Sequence, residues 1–111
     1  MGAFNTVRAA ATCPRCQALI EIKVQFKYGD TWQHEYGLGD SLRWGGNDIG
    51  VPGKRSVVVD GVAEPPCPKC GFDGEWEFYV FVEGDRISRV LQADGTYDFV
   101  RAGRTYLVLQ E

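Results

Sequence analysis

The chain has 111 residues, with 12 Lys and Arg against 15 Asp and Glu and a formal charge of −3. Its length is read as one domain with a modest core, and 44% hydrophobic with 24% charged residues excludes a disordered chain. No apolar run approaches the roughly 20 residues of a membrane span, and the net acidity opposes indiscriminate binding to phosphate backbones.

Met1 to Thr12 lacks a basic segment followed by an apolar stretch, so no secretory signal is read there. The expected compartment is the reducing cytoplasm, where closely spaced cysteines serve as ligands or redox groups more often than as disulfides. Met1-Gly2-Ala3-Phe4-Asn5-Thr6 fits the loose myristoylation pattern. No polybasic patch supplies the second signal that stable anchoring needs, so no membrane partner is expected.

Ile20, Ile22, Val24, Phe26 and Tyr28 alternate with Glu21, Lys23, Gln25 and Lys27, which predicts a half-buried strand. Gly29-Asp30 reads as a turn and Thr31 to Tyr36 as a return strand, with Trp32, His34 and Tyr36 on one face. Gly37 to Gly53 is rich in glycine and reads as turn and loop, with a short strand at Ser41 to Trp44. Val57 to Val59 suits a strand, and Asp60-Gly61 a turn. Glu75 to Glu83 is apolar on both faces, which predicts a central strand. Arg86 to Gln92 fits a helix by spacing and a hairpin strand by β-branching, and the strand is preferred. Thr96 to Val100 and Thr105 to Leu109 read as two closing strands around Ala102-Gly103. The sum is an antiparallel, all-β protein with little helix.

The four cysteines form two pairs, Cys13-Pro14-Arg15-Cys16 and Cys67-Pro68-Lys69-Cys70-Gly71. Each C-x-x-C turn sets both sulfurs on one side, and two such turns can place four sulfurs at the corners of a tetrahedron, the geometry zinc accepts. Proline fixes φ at the second position, and Gly71 can take the positive φ that turns backbone amides toward sulfur. Rubredoxin-like iron is the alternative metal. Redox chemistry expects a thioredoxin-like βαβ context that is missing. One divalent ion on four thiolates would move the net charge from −3 to about −5.

These two pairs resemble the knuckles of a zinc ribbon, a family of small β folds holding zinc between two hairpins. The resemblance covers Cys13 to Cys16, Cys67 to Gly71 and the strands that follow. It implies one structural zinc and a single domain over 1–111, with a ribbon core at about 12–28 and 62–83. A glycine-rich insertion at about 29–60 and C-terminal strands at about 85–110 would elaborate that core. Two features depart from the family pattern: Gln17 stands where ribbons commonly have glycine, and 50 residues separate Cys16 from Cys67.

Zinc saturated by four cysteines has no open position for water, so no enzyme is expected. His34 is the one histidine, and no partnered Ser or free Cys accompanies it. The loop from Gly45 to Gly53 lacks the P-loop and calcium-loop signatures. Asn47 and Asp48 read as turn-making side chains, with an anion cradle on the loop amides as the alternative.

The expected function is a protein-binding module, one version being a bacterial inhibitor or immunity protein for a basic toxin. Trp32 and Trp44 are its candidate anchors, with Arg43, Asn47, Asp48, Lys54 and Arg55 as further candidate partner contacts; Trp44 is the one expected to be exposed, while Trp76 is expected in the core. The alternative is nucleic-acid binding through Arg15, Arg43, Lys54, Arg55 and Lys69, with Trp44 stacking on bases.

Overall fold

The computed structural model describes residues 4–63, 67, 69–71 and 76–111. The elements in chain order are β1 (Asn5–Thr12), β2 (Leu19–Phe26), β3 (Gly29–Asp30), β4 (Glu35–Tyr36) and β5 (Asp48–Ile49), then β6 (Ser56–Ala63), β7 (Glu77–Glu83), β8 (Arg86–Gln92), the helical turn α1 (Phe99–Ala102) and β9 (Tyr106–Gln110). The fold is all-β. No helix among the described residues is long and apolar enough to cross a membrane.

One curled sheet runs β4-β1-β2-β6-β7-β8, and every pairing in it is antiparallel except β4 on β1. β7 covers one edge of β6 along its length. The other edge is shared: β2 pairs with Gly61 to Ala63, and β9 with Ser56 to Val59. The stretch from Glu35 to Leu42 ties the sheet's two ends together. Its start is β4, on β1, and its end bonds to the beginning of β8, with Ile87 N–H donating to Asp40 O at 3.0 Å and Leu42 N–H to Asp85 O at 2.8 Å.

The alternation in β2 is realised, with Ile20, Ile22, Val24 and Phe26 all buried. They face a core that includes Val7, Val57, Val59, Phe78, Val80, Val82 and Ile87. β7 is central, as its two apolar faces predict. Phe78, Val80 and Val82 enter the main core, while Tyr79 and Phe81 meet Val58 and Phe99 in a second cluster on the other face. The segment 86–92 is a strand, β8. Glu75 lies outside the described residues.

Several expectations need correction. The N-terminal segment is a full strand, β1, although its alanines carry no strand signal, because pairing along all of β2 supplies the stabilisation. Gly29-Asp30 is not a turn but β3, bonded to β5. Of Thr31 to Tyr36 only Glu35–Tyr36 is strand, since Gln33 takes φ +60° and breaks the extension. Ser41 to Trp44 is reduced to a bridge from Ser41 to Arg86. Asp60-Gly61 continues β6 instead of turning. A Cβ on Gly61 would lie 2.6 Å from Val24 Cγ1, so this glycine lets neighbouring side chains close over the backbone. Thr96 to Val100 ends in α1, where Asp98 caps the Arg101 N–H.

Buried Asn5 fastens the segment that follows β2 to the sheet. Its Nδ2 donates to the carbonyls of Tyr28 and Asp30, at 3.2 and 3.0 Å, and its Oδ1 accepts the His34 N–H at 3.1 Å. Losing this side chain would leave buried backbone groups unpaired, at about 1–3 kcal/mol each.

Candidate metal centre

Each cysteine pair lies in the connection of a hairpin. The first joins β1 to β2, just beyond the pair Thr12 and Leu19, and Cys13 N–H donates to Ala18 O at 3.0 Å. The second lies between β6 and β7, where Ala63 N–H donates to Trp76 O at 2.9 Å. Because β2 and β6 are neighbours, the two connections meet at the same end of the sheet.

All four sulfurs lie within 4.8 Å of one another. Cys13 Sγ is 3.8 Å from Cys70 Sγ, and Cys16 Sγ is 3.9 Å from Cys67 Sγ. These distances are far beyond the ~2.05 Å of a disulfide. They match the edge of a tetrahedron about 3.8 Å long, which metal–sulfur bonds of ~2.3 Å would produce. Cys13 and Cys67 are buried, and Cys16 and Cys70 form the solvent side of the cluster.

The knuckles repeat one backbone pattern. Gln17 N–H donates to Cys13 O at 2.9 Å, and Gly71 N–H to Cys67 O at 2.8 Å. Lys69 N–H approaches Cys67 Sγ at 3.4 Å, as backbone donors to a metal-bound thiolate do. Burial raises the Cys13 thiol. Hydrogen bonds from the Cys16 and Arg15 backbones and from the Cys16 and Cys67 side chains outweigh it, lowering the pKa from 9.0 to about 6. A thiolate is the form that binds a metal. The four-cysteine set can therefore hold a metal ion.

The remaining candidate residues do not share one surface patch. Trp44, expected to be exposed, is half-buried against the core. Leu42 and Trp44 alternate inward while Arg43 points out, and the Trp44 ring meets Tyr28 edge-on at 5.4 Å. Trp32 is the open one, 69% exposed beside the turn at Gln33. Trp76 is in the core, as expected.

Asp48 accepts the N–H groups of Gly45 and Gly46 and so makes the expected turn, whereas the Asn47 side chain, expected to make a local turn, donates to Thr31 outside the loop and ties the two segments together. Lys54 pairs with Glu111, and Arg55 is exposed. Arg43 and His34 line a surface cleft of about 460 Å³.

The strand expected around His34 hid its partner. Its Nε2 lies 3.0 Å from Asp30 Oδ2, and the other Asp30 oxygen accepts the Asn47 N–H at 2.7 Å. The His34 and Asn47 hydrogen bonds hold the Asp30 carboxyl below its ordinary range. The spacing of four between Asp30 and His34 carries no signal unless the chain leaves the strand at Gln33.

Comparison with known proteins finds no match to this chain among family models, curated proteins or solved structures.

Proposed function

We propose that the four sulfurs hold one zinc as a structural staple of zinc-ribbon type, and that the chain is a non-enzymatic protein-binding module. The observation that carries the zinc reading is the clustering of four sulfurs, two pairs at 3.8 and 3.9 Å and all within 4.8 Å, at the meeting point of two hairpins. With four protein ligands the ion has no free position for water, so its contribution is to stability. Rubredoxin-like iron is an alternative outcome of the metal analysis. Mass spectrometry under non-denaturing conditions should find one zinc per chain. A folded chain free of metal would overturn the reading.

Net acidity and an exposed tryptophan on a braced turn support the protein-binding reading. A basic partner is the charge-complementary one, and an inhibitor or immunity protein for a basic toxin is its concrete version. Arg43, which pairs with no carboxylate among the described residues, keeps nucleic acid as the second reading. Binding to DNA or RNA that collapses with salt and is lost in Arg43→Ala would favour that second reading. No binding at low salt would remove it.

A further inference from the structure

The shared edge of β6 leaves a notch in the outer face of the sheet. β2 ends with Phe26 opposite Gly61, and β9 begins with Tyr106 opposite Val59. Asp60 sits between them. Its N–H is taken by Thr105 O at 2.8 Å, and Thr105 Oγ1 donates to Lys27 O at 3.2 Å, so the break is braced on both sides. A cavity of about 320 Å³ opens there, lined by Asp60, Phe4, Val62, Lys27 and Thr105 among others.

The Asp60 carboxylate is half-buried and makes no ion pair among the described residues. Burial raises its pKa, and the charge of Glu77 adds to the effect. Lys27 lines the same cavity without reaching ion-pair distance of any carboxylate among the described residues. Asp60 thus presents a half-buried carboxylate that no ion pair among the described residues occupies, beside the apolar surfaces of Phe4 and Val62.

We infer that this notch receives a lysine side chain from a basic partner protein, its alkyl stem along Phe4 and Val62 and its ammonium on Asp60. Lysine combines an apolar stem with a compact donor-only head, and the notch offers the complement of each. The inference rests on the protein-binding reading above and gives that partner a contact point.

The test is an NMR titration of the full chain, prepared with zinc, at constant ionic strength. The probe is Nα-acetyl-lysine N-methylamide, and the control is the norleucine analogue, which has a similar stem and no charge. The lysine probe should shift the amides of Gly61, Val62 and Thr105 saturably, and norleucine should not. Asp60→Asn, which keeps the side chain's shape, should weaken binding about tenfold or more. Lys27→Met, which removes a like charge from the cavity, should tighten it.

No saturable shift, an equal response to norleucine, or unchanged binding in Asp60→Asn would each overturn the site. The titration needs no partner protein, so those results would leave the protein-binding reading standing. A basic partner that binds wild type and Asp60→Asn equally would also separate the two.

Discussion

Gln17 and Gly71 hold the same position in the two knuckles, each donating its N–H to the carbonyl of the first cysteine in its pair and each at positive φ, +60° and +75°. Glycine adopts this conformation without penalty, whereas a residue with a Cβ bears about 1–2 kcal/mol. Gln17→Gly should therefore stabilise the chain by about 1 kcal/mol, less glycine's extra unfolded-state entropy. Gln17→Val should destabilise it, because β-branching worsens the clash. Denaturant unfolding measures both, and a less stable Gln17→Gly would contradict the left-handed turn.

Metal removal should act mainly on the hairpin ends. Cys13 and Cys67 join the main core, so Cys67→Ser should cost more stability than Cys16→Ser at the solvent side. A strong chelator should lower the melting temperature and raise hydrogen exchange around Cys13 to Ala18 first. The sheet from Val57 to Ile87 should persist longer, because its contacts do not pass through the sulfurs. Uniform loss of protection would show that the centre governs the whole fold.

Gly61→Ala should destabilise by about 1–3 kcal/mol, since its Cβ would press on Val24 Cγ1 at 2.6 Å and Val80 Cγ2 at 3.3 Å, both buried. Adding Val24→Ala makes room for the methyl group. The double variant should be more stable than the sum of the two single effects predicts, which a double-mutant cycle reads directly.

Asp30 and Asp60 should give opposite pH signatures. The Asp30 carboxyl is lowered by its His34 and Asn47 hydrogen bonds, so its stabilisation is complete above the ordinary carboxyl value of 3.8 and lost as pH falls through its own. The Asp60 carboxyl is raised by burial and by Glu77, so its contribution is most favourable below 3.8 and is lost as pH rises through its own value. At pH 7, Asp30→Asn should destabilise the fold and Asp60→Asn should leave it unchanged or more stable. Both differences should shrink toward pH 3, where melting temperatures against pH would reveal a wrong sign.

Trp32→Ala should leave the fold intact, and Trp44→Ala should cost about 3 kcal/mol through its lost contact with Tyr28 and the core. If a partner is found, Trp32→Ala should weaken it. Thermal melts paired with partner binding separate the two roles, and a fold that depends on Trp32 would remove it as an anchor.

The two cysteine pairs and the strands β2, β7 and β8 were legible in the sequence because their signals are local. C-x-x-C spacing, a period of two in Ile20 to Phe26, and a run apolar on both faces at Phe78 to Val82 each need only neighbouring residues. Only the tertiary structure decided β1, the path of Asp60-Gly61 and the bond between His34 and Asp30. β1 is a strand because β2 pairs with it, Gly61 stays extended because Val24 closes over it, and His34 finds Asp30 because the chain leaves the strand at Gln33. Gln17 joins both lessons. The resemblance to zinc-ribbon knuckles marked it as a departure from glycine, and the fold holds it in glycine's conformation, at φ +60°.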